Sequence, residues 1–141
     1  MVVRKIHQIW LQGERNLPDN YKNYVNKYKE LNIPLGWKYK LWDEKSIRNL
    51  IKTKYPDLLP IYDGYSFWVM KVDLGKYCIL DSEGGLLIDM DTIPLKSFEE
   101  LILPINKPAV IFYPHKKDNS YNFHFLEKIF VNRITNNNFI Y

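Results

Sequence analysis

The feature that most constrains this chain is the stretch from residue 66 to residue 94, which reads SFWVMKVDLGKYCILDSEGGLLIDMDTIP. Its first half, residues 66–80, is apolar on almost every side of a helical wheel, a pattern that predicts a buried helix. Asp73 and Lys76 interrupt the pattern and, being three residues apart, lie on neighbouring parts of one helical face. Because charges in a buried element are costly unless they are paired or used, these two residues are candidate functional groups.

The second half of the stretch predicts a turn, a strand and an acidic strand end. The pair Gly84-Gly85 is typical of the position just past a helix. The apolar run 86–88 fits a core strand that places Asp89 and Asp91 at its carboxyl end. Open α/β sheets bind ligands at that edge. Since both acids offer oxygen ligands, they suit Mg²⁺ or Mn²⁺ carrying a phosphate.

Length and composition favour a single globular domain over residues 1–141, since 46% of the residues are hydrophobic. The net charge of +4 is small and the lysines are scattered, which favours an anionic small ligand and gives no reason to expect nucleic acid. The single cysteine, Cys78, is expected to be a small apolar core residue. With no apolar run long enough for a transmembrane segment and no signal-peptide pattern, we expect a cytoplasmic protein.

The other segments alternate between strand and helix patterns. Strands are predicted over residues 2–11, 36–42 and 109–113. Helices are predicted over 20–31, over 45–54 with Asp43 as N-cap, over one or two turns in 97–102 and weakly over 123–134. Loops are predicted over 57–65 and 115–122. This alternation predicts an α/β fold with helices layered on a mostly parallel sheet.

The last six residues, 136–141, end in a β-prone apolar triplet. An exposed apolar strand can pair with the same strand of another copy. A homodimer is therefore the assembly that this segment predicts.

Three blocks of the sequence, in this order, resemble the sugar-binding region of glycosyltransferase family 32. They are RKIHQIWLQG (4–13), WKYKLWD (37–43) and VDLGKYCILDSEGGLLIDMD (72–91). The resemblance implies a GT-A fold with a Rossmann-like sheet and a nucleotide-diphosphate sugar donor, UDP- or GDP-linked, bound with Mn²⁺ or Mg²⁺. It also implies transfer of a hexose to a glycan or other hydroxyl acceptor with retention of configuration. Because that family continues past the position of Tyr141, we expect the donor side of the site to be more complete than the acceptor side.

The resemblance also implies roles for single residues. Asp89 and Asp91 match the Asp-x-Asp motif as catalytic residues, both of them candidate metal ligands. Asp73 matches the acid of the family's Ser-Asp-x-x-Arg helix, which binds sugar or ribose hydroxyls, and Lys76 stands where that helix has arginine. The other implied substrate-binding residues are the glycine pair and an aromatic that stacks on the nucleotide base: Gly84, Gly85 and Trp10.

Each assignment has an alternative. Asp73 and Lys76 would otherwise form an ion pair within the helix, and Trp10 would be a core aromatic. His7 is expected to be a hydrogen-bonded structural residue. The run LLIDMDTIP also resembles the first motif of haloacid-dehalogenase-type phosphatases, although Ile93 stands where that motif has Thr or Val. A further alternative is a catalytically weak or inactive module that only binds a nucleotide sugar.

Overall fold

The computed structural model describes residues 3–102, 109–111 and 129–132, which include a five-stranded sheet. The strands are β1 (Lys5–Ile9), β2 (Lys38–Trp42), β3 (Gly85–Ile88), β4 (Ala109–Ile111) and β5 (Ile129–Asn132). They lie in the order β2-β1-β3-β5-β4. β1 pairs in parallel with both β2 and β3, whereas β5 pairs antiparallel with β3 and β4. The three parallel strands therefore form one side of the sheet, with β1 at their centre.

The described α-helices are α1 (Asp19–Asn32), α2 (Glu44–Lys54), α3 (Leu59–Gly64), α4 (Trp68–Glu83) and α5 (Phe98–Ile102). Local chemistry fixes two of their ends. The Asp43 carboxylate accepts a hydrogen bond from the backbone N of Ser46 at 2.8 Å, which confirms Asp43 as the N-cap of α2. Gly84, with φ 63°, ends α4 as the glycine pattern predicted. Within the described residues, no helix is long and apolar enough to cross a membrane.

Helices cover both faces of the sheet, and β3 shows how its side chains are divided between them. Leu87 packs on one face in a cluster formed largely by side chains of α2, α3 and α4. Leu86 and Ile88 pack on the other face, with Tyr28 of α1 and Phe98 of α5. Since successive side chains of a strand point to opposite faces, every residue of β3 is buried. This arrangement confirms the predicted α/β layering.

The first turn of α4 differs from the prediction of a helix buried from residue 66 onward. Phe67 and Trp68 are 68% and 55% exposed, and Val69 is exposed as well. Only the later part of the helix reaches the core, where Cys78 and Ile79 are buried. Cys78 is thus the core residue that was predicted. A helical wheel counts apolar residues but does not show how many elements pack around the helix, so it overestimated the burial of this end.

Two segments have a different structure from the predicted one. The loop predicted over 57–65 is wrong over Leu59–Gly64, which forms α3, because proline is tolerated in a first helical turn and Tyr62 is fully buried in the core. The helix predicted over 123–134 is wrong over Ile129–Asn132, which forms β5 and pairs with β3 through a backbone ladder.

Several predictions concern residues outside the described part of the chain. These are the polar loop over 115–122, the rest of the segment 123–134 and the apolar end over 136–141. The homodimer hypothesis, which was based on that end, stays a prediction.

Candidate active site

The turn that follows β3 places two acids at the carboxyl edge of the parallel strands. The backbone N of Thr92 donates to the carbonyl O of Asp89 at 3.4 Å, which closes a four-residue turn. Met90, between the two acids, is buried in a cluster with Leu17 and Val25, whereas Asp91 is exposed. The buried Met90 side chain therefore anchors the turn on the core, while the Asp91 carboxylate stays accessible.

Lys76 connects α4 to this turn. Its Nζ lies 2.7 Å from Oδ1 of Asp89 and 3.8 Å from Oδ1 of Asp73. The side chains of Lys76 and Asp89 are 15% and 24% exposed, while that of Asp73 is 60% exposed. The main partner of Lys76 is therefore Asp89 on the strand end. The expectation that Asp73 is sheltered within a buried helix is wrong, because its side chain projects from the side of α4 that faces solvent.

The donor atoms at this edge fit a hard divalent cation. Asp91 has no ion-pair partner in the part of the chain that the structure describes. No group of three or more His, Cys, Asp or Glu side chains in those residues could hold a metal by itself. Mg²⁺ and Mn²⁺ commonly bind through one or two carboxylates and fill their remaining positions with water and phosphate oxygens. The available Asp91 carboxylate, with Asp89 beside it, suits that mode of binding and not a closed zinc site.

Trp10 follows β1 at the same edge of the sheet. Its Nε1 donates to the carbonyl O of Asn16 at 3.2 Å, and its ring meets Tyr21 edge-on with centroids 5.4 Å apart. The side chain is half-buried against the cluster that contains Met90. Trp10 both packs on the core and keeps exposed ring surface near the acidic turn, residues 89–92. Its position is therefore compatible with either predicted role, base stacking or core packing.

The glycine pair lies at the opposite end of β3. Since this strand has four residues, Gly85 is about 13 Å from Asp89 at roughly 3.3 Å per residue. Gly85 has φ +90°, and a Cβ atom there would lie 2.5 Å from the carbonyl O of Lys5. The structure therefore does not bring Gly84 and Gly85 to the acids. The observed role of Gly85 is to let β3 approach β1 closely. The predicted contact of the glycine pair with substrate stays a prediction.

His7 holds the same end of β3. Trp42 donates from Nε1 to Nδ1 of His7 at 3.1 Å, so the imidazole proton resides on Nε2 and is donated to the carbonyl O of Gly84 at 2.9 Å. Burial lowers the pKa of His7 to about 4, which keeps the ring neutral near pH 7. His7 is thus the hydrogen-bonded structural residue that was predicted.

Sequence reasoning missed four polar side chains that form a hydrogen-bond network with the backbone of the acidic turn: Gln8, Tyr28, Tyr39 and Thr92. Two of them, Gln8 and Thr92, donate hydrogen bonds to the carbonyl O of Asp89. The signals available in the sequence were weak, namely a glutamine within the predicted first strand and a threonine directly after the second acid.

Comparison with known proteins agrees with this geometry. Residues 18–107 match the family described as "Glycosyltransferase sugar-binding region containing DXD motif". An uncharacterized glycosyltransferase of Acanthamoeba polyphaga mimivirus is 34% identical over 103 residues, 72% of this chain and 40% of that protein. Inositol phosphoceramide mannosyltransferase 1 of Schizosaccharomyces pombe is 30% identical over 114 residues, 76% of this chain and 35% of that protein. The initiation-specific alpha-1,6-mannosyltransferase of Candida albicans is 30% identical over 104 residues, 70% of this chain and 26% of that protein.

The chain therefore belongs to this family of DXD-containing glycosyltransferases, as the resemblance predicted. The matched region contains Asp73, Lys76, Asp89 and Asp91, while Trp10 precedes it. The chain spans between 26% and 40% of the length of these three relatives. Their names lend no support to the phosphatase alternative.

Proposed function

We propose that this chain forms the donor-binding part of a metal-dependent glycosyltransferase. Such an enzyme moves a hexose from a nucleotide-diphosphate sugar to a glycan or other hydroxyl acceptor, with retention of configuration. The observation that carries the proposal is the juxtaposition at the end of β3, where an available Asp91 lies two residues from an Asp89 already paired with Lys76.

The proposed metal ligands are Asp91 and, beside it, Asp89. A Mn²⁺ or Mg²⁺ ion bound there would act as a Lewis acid that neutralises charge on the departing nucleoside diphosphate. Asp91 is the better placed of the two, since Lys76 already occupies Oδ1 of Asp89 at 2.7 Å. We infer that Asp89 interacts with the sugar or ribose through its remaining oxygen while Lys76 holds it in place.

The other site residues would orient the donor. Asp73, open to solvent on the adjacent turn of α4, can accept hydrogen bonds from sugar or ribose hydroxyls. Lys76 places a positive charge beside the expected position of the diphosphate. Trp10 offers ring surface on which a nucleotide base could stack. These contacts supply orientation and charge complementarity, and retention by front-side substitution needs no enzyme nucleophile.

The names of the relatives suggest the first donor to test. Two of the three are mannosyltransferases, so nucleotide-linked mannose precedes other hexoses in our proposal.

A second candidate function is binding of the nucleotide sugar with weak transfer or none. Lys76 favours this reading because an ammonium cannot make the two parallel hydrogen bonds that arginine makes to a phosphate or carboxylate. Release of nucleoside diphosphate from a nucleotide sugar in the presence of Mn²⁺ would support transfer or hydrolysis, whereas tight binding without release would favour the binding module.

Replacing the proposed metal ligand tests the site directly. Mn²⁺ with GDP or UDP should stabilise the protein by about 2.7 kcal/mol at one hundred times the dissociation constant, because the ligand binds only the folded state. Asp91→Asn should abolish the Mn²⁺-dependent part of the increase in melting temperature. Asp57→Asn, which changes an exposed acid in the segment after α2, is the matched control and should retain it. A full Mn²⁺-dependent increase in Asp91→Asn would refute Asp91 as a ligand.

A further inference from the structure

We propose that Gln8, Tyr28 and Thr92 are positioning residues that fix the backbone from which the Asp89 and Asp91 carboxylates project. The inference rests on the proposed function of this site. The three side chains are uncharged, so they do not form ion pairs with the acids. Gln8 and Thr92 donate to one backbone atom, the carbonyl O of Asp89. Tyr28 acts on that atom through Thr92.

Three donors converge on that carbonyl. Thr92 Oγ1 donates at 2.7 Å, Gln8 Nε2 at 3.2 Å and the backbone N of Thr92 at 3.4 Å. The two side-chain donors come from different elements, since Gln8 lies on β1 and Thr92 ends the turn. Gln8 and Thr92 are both buried, so water does not compete readily for these bonds.

Two tyrosines determine the direction of these bonds. A hydroxyl has one proton, and Thr92 donates its proton to Asp89, so the Tyr28 hydroxyl must be the donor to Thr92 Oγ1 at 2.8 Å. On the other side, the Tyr39 hydroxyl donates to Gln8 Oε1 at 2.8 Å, which turns the amide nitrogen of Gln8 toward Asp89. Burial raises the pKa of Tyr28 to about 12, so its hydroxyl stays protonated and able to donate at neutral pH.

This network restrains the backbone on which both acids depend. It fixes the peptide after Asp89, and the buried Met90 side chain fixes the next residue. Ordering one residue costs about 1–2 kcal/mol of conformational entropy. Because the turn is ordered on folding, that cost does not fall on ligand binding, which is the benefit of preorganisation. The network should therefore affect affinity for metal and nucleotide more than it affects overall stability.

Removing one hydroxyl tests the inference. Thr92→Val keeps the branched shape and loses the hydrogen bonds. The matched control is Thr53→Val, which removes a hydroxyl that donates to the carbonyl O of Asn49 at 2.9 Å on the exposed side of α2. We expect the dissociation constants of Mn²⁺ with GDP and of Mn²⁺ with UDP, measured by calorimetry, to rise 10- to 100-fold in Thr92→Val and to stay unchanged in Thr53→Val. Thr92→Ser, which restores the hydroxyl, should recover most of the affinity.

The outcomes distinguish this inference from the proposed function. If the wild-type protein fails to bind both Mn²⁺ with GDP and Mn²⁺ with UDP, the proposed function is refuted and this inference is refuted with it. If wild-type protein binds and Thr92→Val binds equally well, or Thr53→Val loses as much affinity, the positioning role alone is refuted. If Thr92→Val does not fold, Tyr28→Phe tests the positioning role instead. It removes only the outer hydrogen bond of the network, and it should weaken binding several-fold while the melting temperature changes little.

Discussion

The strand β3 has only four residues, yet its two ends are built in opposite ways. At the amino end, Gly85 lies against the backbone of Lys5, and the carbonyl O of Gly84 accepts a hydrogen bond from the buried His7. Lys5 and Glu83 close this end with an ion pair at 2.7 Å. At the carboxyl end, hydrogen bonds from the buried residues Gln8 and Thr92 hold the backbone, but the carboxylate of Asp91 stays exposed.

This difference indicates a division of work along one strand. At the amino end, the polar groups form hydrogen bonds and an ion pair with one another, so that end contributes to the stability of the fold. At the carboxyl end, the protein satisfies the backbone from within and leaves charged groups for a ligand. Changes at the amino end should therefore lower the free energy of unfolding, and changes at the carboxyl end should mainly lower affinity.

The largest effect on stability is expected at Gly85. Gly85→Ala introduces a Cβ 2.5 Å from the carbonyl O of Lys5 on a residue with φ +90°, so both backbone strain and overlap oppose folding. We expect the free energy of unfolding, measured by urea denaturation, to fall by about 4 kcal/mol. Gly13→Ala is the control, because Gly13 has φ +84° but nothing within 4 Å of the new Cβ. It should cost only about 1–3 kcal/mol, the usual cost of holding a side chain in a sparsely populated backbone region. Equal losses in the two variants would show that the close approach of β3 to β1 contributes little.

The second-largest effect is expected from His7, which makes the free energy of unfolding depend on pH. Burial lowers the pKa of folded His7 to about 4, whereas the unfolded residue titrates near its ordinary value of 6.5. The unfolded state therefore binds the additional proton between these values. The stabilisation is fully present above pH 6.5 and is lost as the pH falls toward 4, by about 3 kcal/mol in all.

A variant that cannot titrate isolates this contribution. His7→Gln should give a shallower fall in the free energy of unfolding between pH 6.5 and 4. Carboxylates such as Glu83, whose pKa is lowered chiefly by its hydrogen bond from Lys5 and only slightly by His7, titrate in both proteins, so most of their contribution cancels in the difference. Parallel stability curves for the two proteins would mean that His7 is not buried in its neutral form.

Prediction from sequence worked best where the signals were local. The glycine after α4, the Asp43 cap and the acidic end of β3 each depend on neighbouring residues, and the structure has all three. Periodicity failed where the answer depended on distant packing. The exposure of the first turn of α4 depends on which elements pack against it, and the strand β5 depends on its pairing with β3. The spacing of apolar residues does not carry this information.

The same limit applied within the site. Spacing on a helix predicted that Asp73 and Lys76 would lie together, and they do at 3.8 Å. The shorter contact of Lys76, to Asp89 at 2.7 Å, joins a helix to the end of a strand. Likewise, Tyr28 and Thr92 are separated by 64 positions in the sequence and meet only after folding. Contacts of this kind join residues that are far apart in the sequence, so patterns among neighbouring residues do not predict them.

The smallest effect on stability is expected at the carboxyl end, for the pair between Lys76 and Asp89. Both side chains keep some contact with water, so their mutual attraction is partly screened. In a double-mutant cycle with Lys76→Met, Asp89→Asn and the double variant, we expect a coupling free energy of about 1 kcal/mol or less, measured by urea denaturation. The affinity for Mn²⁺ with GDP should fall in both single variants. A coupling of about 3 kcal/mol or more would mean that charges at this end also hold the fold together. The contrast between a stabilising amino end and a binding carboxyl end of β3 would then be wrong.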